Sequence, residues 1–233
     1  GTHTVIMQAA AEATGADYEQ VEFIGEDSDI DGDSGSSSAS RMTFMALNSV
    51  KGAGELARQK WDNEERPAIA EFKYLAPKTT PFAPETGVSI PNVAYGHCAQ
   101  VADLEVDTET GHIRILNMIS TSDLGKAINP QQVVGQIEGG TIQTIGYALM
   151  EDFIHEGGYV QTAELSTYLI PTVWDIPDNF KTVILEYADP NGPWGARGVG
   201  EMMTVPTAPA ITAAVHNATG VWFDDFPLTP ERV

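Results

Sequence analysis

A carboxylate held at the end of a constrained loop can abstract a proton, because fixed geometry and restricted solvent tune it for that task. The stretch Gly192-Pro193-Trp194-Gly195-Ala196-Arg197-Gly198-Val199-Gly200-Glu201 has this form, with four glycines in nine residues and then Glu201. Glycine permits positive φ and a closer backbone approach to a ligand than any Cβ allows. Glu201 is therefore a candidate general base. The plain alternative is a first-turn glutamate favoured by the dipole of the helix expected directly after the loop. A second candidate stretch is the loop from Gly25 to Ser40, rich in Asp, Gly and Ser. It lies between a strand-like piece and a helical pattern, so several N–H groups and hydroxyls would face the positive end of a helix, a ready phosphate site. A third is a helical pattern carrying Gly135, Gly139, Gly140 and Gly146, with Gln136 and Glu138 among them. Glycine costs about 1 kcal/mol in a helix interior. A neighbouring helix or a ligand must approach that surface to offset it.

The elements that would position these residues follow from periodicity and punctuation. Val5, Ala9 and Ala13 share a helical face over 4–14, stopped by Gly15. Residues 21–24 read as a strand, and Met42, Met45, Ser49, Ala53 and Leu56 mark a helix running towards Trp61. From about 66 to 93 there are five prolines and little periodicity, which reads as an extended connection and the best internal boundary. Alternation over 99–106 and 112–119, around the turn Asp107 to Gly111, predicts a hairpin. Asn129-Pro130 is an N-cap with proline at the first helical position, and Val134, Ile137, Thr141, Ile145 and Leu149 form one face of the helix that follows. Strands are expected over 159–170 and 181–187, and a last helix over 207–218 with Ile211, Ala214, Val215 and Ala218 inward. Two strand-like pieces close the chain. The expected organisation is a first part at 1–66, the connection at 67–93 and a second part at 94–233.

The 233 residues include 33 acidic and 12 basic side chains, a formal net charge of −21, so nucleic acid and anionic membranes are poor partners. An anionic ligand would have to be held by backbone N–H groups and hydroxyls. Hydrophobic residues make up 42% of the chain, enough for a sizeable core. Cys98 is the only cysteine, which excludes an internal disulfide and a cysteine-ligated iron–sulphur cluster within this chain. No run approaches the roughly 18 apolar residues of a membrane span. The chain begins at Gly1 without methionine and reads as a piece of something longer.

Several motif echoes fail on inspection. Asp27, Asp29, Asp31 and Gly32 copy the first half of a calcium-binding EF-hand loop, but Ser38 stands where the bidentate glutamate belongs. Gly32-Asp33-Ser34-Gly35 echoes a serine-protease nucleophile segment, yet only His3 precedes Ser34 and that order is wrong. There is no Walker A or dinucleotide fingerprint, and the five histidines lack metal-ligand spacing.

Taken in order, four motifs resemble the molybdenum hydroxylases, the xanthine dehydrogenase and aldehyde oxidase family. Gly1-Thr2-His3-Thr4 resembles the end of a Gly-Gln-Gly-x-x-Thr segment, and residues 33–41 resemble the serine-rich cofactor loop. Residues 123–130 leading into Gly135-Gln136-Ile137-Glu138-Gly139-Gly140 are similar to the family's glutamine-bearing helix, and Gly198-Val199-Gly200-Glu201 to its catalytic loop. The resemblance implies an α+β fold of mixed sheets with packed helices, forming the C-terminal half of a molybdopterin-binding subunit. It implies a molybdopterin cofactor, in bacteria usually the cytosine dinucleotide form, with molybdenum held through the pterin and not by protein ligands. Ser37, Ser38, Ala39, Ser40, Gln136 and Gly200 would then bind cofactor, and Glu201 would be the base in hydroxylation of an electron-poor carbon, with water as the oxygen source. The implied partners are the N-terminal half, an iron–sulphur subunit, an FAD subunit and a small-molecule substrate, in the cytoplasm.

Each residue also has a plain structural reading. The serines would cap the following helix, Gln136 would be a surface amide, and Arg197 would pair with a nearby carboxylate. The rival from another class is a non-catalytic binding or assembly module of the same fold. In the family the preceding half supplies further cofactor contacts and much of the substrate pocket, so this chain is expected to be a split subunit or a C-terminal fragment, inactive alone.

Overall fold

The computed structural model describes residues 1–25, 27–29 and 31–233. Glu26 and Ile30, part of the expected Asp/Ser/Gly loop, lie outside the described residues. In chain order the elements are α1 (Thr2–Thr14), α2 (Arg41–Asp62), β1 (Thr80–Ala83), β2 (Val88–Ile90), β3 (His97–Val106), β4 (Ile113–Asp123), α3 (Pro130–Leu149), β5 (His155–Glu156), β6 (Tyr159–Val160), β7 (Asn179–Leu185) and α4 (Thr204–Thr219). They divide into two compact units. One comprises 1–96, 124–132 and 186–199; the other comprises 97–123, 133–185 and 200–233.

In the first unit α1 packs against α2. Gly15 ends α1 in the left-handed region at φ 69°, and its N–H closes on the Ala11 carbonyl at 2.8 Å, the αL stop expected of a glycine there. The two helices meet at Gly54, which is buried against the side chain of Ala13, and Arg58 donates to the Thr14 carbonyl at 3.1 Å. The buried face of α2 is Phe44, Leu47 and Gly54. The row read from the sequence flanks that face: Met42, Met45, Ser49 and Ala53 are half-buried and only Leu56, at its end, is exposed, because the helix crossing at Gly54 sets which side faces α1. Residues 21–24 form no strand; Phe23 instead stacks on His3 with ring centroids 4.2 Å apart. Within the proline-rich connection β1 and β2 pair as a short antiparallel hairpin.

The second unit holds a sheet in the order β3-β4-β7, with β3 antiparallel and β7 parallel to β4. The hairpin forms where alternation predicted it, with Val106 opposite Ile113. Asp107 organises its turn, accepting the N–H of Glu109 at 2.9 Å and of Thr110 at 3.2 Å, while Gly111 takes φ 73°. Ile115 and Met118 of β4, Ile145 and Ala148 of α3, Ala208, Ile211 and Val215 of α4, and Leu228 form the core. Ile211 and Val215 are inward as expected, whereas Ala218 is exposed and Ala208 takes part instead. At the start of α3 the cap is as read: Asn129 Oδ1 accepts the Gln132 N–H at 3.0 Å, with Pro130 at the first helical position. That first turn belongs to the first unit.

Two strand expectations are corrected. Of 159–170 only Tyr159 and Val160 pair, with His155 and Glu156. Beyond them the Glu164 carbonyl collects the N–H groups of Thr167 and Tyr168 and the Thr167 hydroxyl, and such local bonds outcompete a ladder. The final residues, 221–233, contain no strand among the described residues. Leu228 donates once to the Ala148 carbonyl, and the chain then turns on Thr229.

Two outcomes follow from these packings. Gly54→Val would press branched carbons into Ala13 and is expected to destabilise the fold by about 1–3 kcal/mol, as overpacking does, in a denaturant titration. Asp107, with its carboxyl held below the ordinary range by the Glu109 and Thr110 N–H bonds, contributes stability that is present above that range and lost as pH falls through its lowered folded value. The Tm difference between wild type and Asp107→Asn should therefore be present at neutral pH and shrink on acidification.

Candidate functional site

The serine loop is anchored at its C-terminal end by a backbone crossing. Ala39 and Ser40 both stand at φ 55°, in the left-handed region, and Ser40 is the residue that precedes α2. Two consecutive non-glycine residues there are strained, by about 1–3 kcal/mol each. Gly198 makes room for the turn: a Cβ at that position would overlap the carbonyl oxygen of Ser40. The expected capping by serine does not occur, since no side chain caps the start of α2. Ser36 Oγ instead bonds Ser38 Oγ at 2.9 Å and accepts the Ser38 N–H at 3.2 Å. Residues 37–39 are exposed. This leaves the first N–H groups of α2 without a side-chain partner, at the positive end of a 22-residue helix.

The acidic half of the loop is folded on itself. Asp27 accepts the Asp29 N–H, Asp31 the Asp27 N–H and Asp33 the Gly35 N–H, all within 3.0 Å. Among the described residues no three His, Cys, Asp or Glu side chains converge as metal ligands would. The glycine loop closes the same unit. Gly195 at φ 85° accepts the N–H groups of Lys126 and Asp189, and Arg197 donates its own N–H to the Leu124 carbonyl at 2.7 Å. The Arg197 guanidinium lies 3.8 Å from Asp189 and donates to the Tyr187 carbonyl at 3.0 Å, as the structural reading of that arginine expected.

In the second unit, Gly200 and Glu201 lie against α3. Gly140 faces the Gly200 carbonyl and the Met203 Cβ, and a Cβ there would sit at ordinary van der Waals distance from both, so the approach does not itself require a glycine. Gly146 meets Glu151 and Pro171, while Gly135 and Gly139 face open space. The Glu201 carbonyl accepts both the N–H and the hydroxyl of Thr204, at 3.0 and 2.7 Å, and its exposed carboxylate meets Gln143 Nε2 at 3.5 Å. Gln136 is exposed and shares a helix face with Gly140 and Gln143, at i, i+4 and i+7. Ser37 to Ser40 thus belong to one unit, and Gln136, Gly200 and Glu201 to the other.

Sequence reading missed the polar residues beneath Glu201. Gln100 donates from Nε2 to Ser120 Oγ at 2.7 Å and Thr141 Oγ1 at 2.8 Å, and its Oε1 lies 2.5 Å from Thr207 Oγ1. The signal was available, because Gln100 sits on the inward row of β3 with Cys98, Ala102, Leu104 and Val106. A polar residue on an apolar row needs partners. Burial pushes the Cys98 thiol above its ordinary value, and its Sγ lies 3.4 Å from the Met202 carbonyl.

Comparison with known proteins shows the family and the fold. A family model described as a molybdopterin cofactor-binding domain matches residues 1–68 and 55–177. A probable xanthine dehydrogenase component of Bacillus subtilis is 31% identical over the whole chain, which covers 35% of that protein. A probable hypoxanthine oxidase of Escherichia coli is 35% identical over 61% of the chain, and the match covers 15% of that protein. The aldehyde oxidoreductase structure from Desulfovibrio gigas superposes with a TM-score of 0.83 at 28% identity, over 98% of this chain and 27% of that one. The chain therefore spans about a third or less of the relatives it matches, and in fold it is α+β like them. With the serine loop, the glutamine-bearing helix and the Glu201 loop following one another along it, the chain belongs to the molybdopterin cofactor-binding domain family and corresponds to the C-terminal part of a molybdenum hydroxylase's molybdenum-binding subunit.

Proposed function

We propose that this chain holds part of a molybdenum–pterin cofactor, in the cytosine dinucleotide form, within an oxidoreductase that hydroxylates an electron-poor carbon of an N-heterocycle or aldehyde. The observation that carries the reading is the uncapped start of α2. A helix of this length begins behind the strained Ala39 and Ser40 with no side-chain cap; the Arg41 N–H turns back to the Ser38 carbonyl at 3.3 Å, and the N–H groups that follow it and the hydroxyls of Ser37, Ser38 and Ser40 form a donor set for phosphate oxygens. That donor set suits a phosphate-bearing cofactor on a chain whose net charge is −21, because it relies on main-chain dipoles and not on basic side chains.

When bound, the cofactor supplies the two-electron redox chemistry of the hydroxylation, with water as the oxygen source. The chain's own residues bind, orient and move a proton. Ser37, Ser38, Ala39 and Ser40 bind phosphate and pterin oxygens through N–H and O–H groups. Gln136, exposed on the face of α3 that also carries Gly140, donates its amide to a polar edge of the cofactor, while the open positions at Gly135 and Gly139 leave that helix surface free of side chains. Gly200 admits close backbone approach, and Glu201 Oε takes a proton in the reaction. The Thr204 bonds to the Glu201 carbonyl hold the carboxylate's backbone while Gln143 meets its tip.

The remaining parts belong to partners. A chain with one cysteine cannot supply cysteine-ligated iron–sulphur clusters, so electrons leave through an iron–sulphur subunit and an FAD subunit. The N-terminal part of the molybdenum-binding subunit completes the substrate pocket, and the assembly works in the cytoplasm.

Two measurements test the reading on the complex purified with its partners. Glu201→Gln keeps shape and removes the base, so it should retain molybdenum and lose about a hundredfold or more in kcat; wild-type kcat would remove Glu201 from the proton transfer. Gly198→Ala drives a methyl group into the Ser40 carbonyl, and should abolish most of the bound molybdenum and acid-released cytosine nucleotide; unchanged loading would place the cofactor elsewhere. If the wild-type complex holds neither molybdenum nor nucleotide, the chain is a non-catalytic assembly module.

A further inference from the structure

Glu201 has no buried side chain of its own to fix it, since its carboxylate is exposed. What fixes its backbone lies two residues on. Met203 is fully buried, with its Cβ facing Gly140 of α3 and its Sδ 3.3 Å from Ser122 Oγ of β4 and 3.7 Å from Gln100 Nε2 of β3. One turn further, the fully buried Thr207 has its hydroxyl 2.6 Å from the Met203 carbonyl and 2.5 Å from Gln100 Oε1. The other end of the same amide reaches Ser120 of β4 and Thr141 of α3, both fully buried. Thr141 in turn donates to the Ile137 carbonyl at 2.8 Å, one residue beyond Gln136.

We propose that Gln100 is a positioning residue for Glu201: its amide spans the glutamine-bearing helix α3 and the first turn of α4, and so sets the height of the Glu201 turn above α3. One side chain satisfies buried hydroxyls on β4, α3 and α4 at once. A carboxamide is the smallest side-chain group that offers two donors and an acceptor in one plane, and β3 presents it from its inward row. Loss of the amide leaves Ser120 with only the 3.4 Å contact to Thr141 and cuts the link from Thr141 to Thr207, each of which keeps only its own helix carbonyl. The first turn of α4 is then free to shift, and a displacement of about 1 Å at a base is enough to slow proton transfer strongly. The mechanical part of this inference concerns the chain alone. Its catalytic consequence rests on Glu201 being the base.

Hydrogen exchange on the 233-residue chain reads the mechanical part without cofactor. Gln100→Met, which keeps length and removes both polar ends, should speed exchange of the Thr204 and Val205 amides about tenfold while the β4 amides at 113–119 stay at wild-type rates. Thr207→Val, equal in shape, should do the same, Thr207→Ser should restore slow exchange, and the double variant Gln100→Met with Thr207→Val should add little to either alone, as coupled sites do. In the loaded complex, kcat per bound molybdenum should fall about tenfold in Gln100→Met with KM unchanged. Unchanged exchange at Thr204 and Val205, equal acceleration across the sheet, a rise in KM in place of the fall in kcat, or full turnover per molybdenum would each overturn the proposal. Full activity of Glu201→Gln would instead overturn the base assignment and leave the exchange result standing.

Discussion

A main-chain crossing with no space for a side chain governs the first unit. The Gly195 carbonyl lies where a Cβ on Gly125 would be, and it accepts N–H groups from both Lys126 and Asp189. Arg197 returns the bond by donating to Leu124, and Gly125 pairs with Ala196 as an isolated antiparallel bridge. A few residues later the same loop passes Gly198 under the Ser40 carbonyl. The crossings of the 186–199 segment are therefore set by backbone groups meeting backbone groups, with the Arg197 and Asp189 side chains tying its two ends together. Such a segment tolerates change at its exposed side chains and rejects a single added methyl at the crossings, and through Gly198 it dictates where the serine turn can stand.

The second unit solves a similar problem by different means. The 200–203 stretch lies beside Gly140 of α3 at van der Waals distance, but such contact alone leaves the stretch free to slide along the helix. Hydroxyls supply the direction that this contact lacks. Ser120, Ser122, Thr141 and Thr207 are buried and carry directional bonds across β4, α3 and α4. Apolar packing by Met118, Ile145, Ile211 and Val215 provides the bulk of burial stability, at about 25 cal/mol per Å² of apolar surface, yet it is non-directional. Register between the helices comes from the polar row. This separation of roles explains why a half-polar seam persists beside an otherwise hydrophobic core.

How far the chain itself disclosed this arrangement depends on the range of the interaction involved. Punctuation by glycine, proline and asparagine acts locally, and so Gly15, Asn129-Pro130, the Asp107 to Gly111 turn and Gly220 all stop or start elements where they were expected. The helix faces were read less well. Leu56 is exposed because α2 crosses α1 at Gly54, and no periodicity within α2 reports where another helix will cross. The strand expected at 21–24 has the right residue types but lacks a partner edge. The glycines of α3 were legible as an invitation to close approach, but they divide in use: Gly140 and Gly146 face protein, while Gly135 and Gly139 face open space. The serines were legible as donors, whereas the absence of a cap at Ser40 goes with its left-handed φ, in a turn whose carbonyl has room only because position 198, far along the chain, carries no Cβ.

The strong acidity opposes a phosphate-bearing ligand only while charge is counted over the whole chain. At about 0.15 M salt, exposed charges are screened beyond roughly 8 Å, so the balance is decided near the loop. There the carboxylates of Asp27, Asp31 and Asp33 already accept backbone N–H groups of their own segment, which fixes them in local turns. The Arg41 guanidinium stands beside Gly35, and the uncapped start of α2 follows directly. On the proposed reading, short-range, oriented dipoles would act on a ligand at hydrogen-bond distance, against the charge of the loop's own aspartates and the more distant charge that acts through water. Under the proposed function, such a loop would hold an anion without a cluster of lysines, and the scarcity of basic residues elsewhere would leave few competing sites for it.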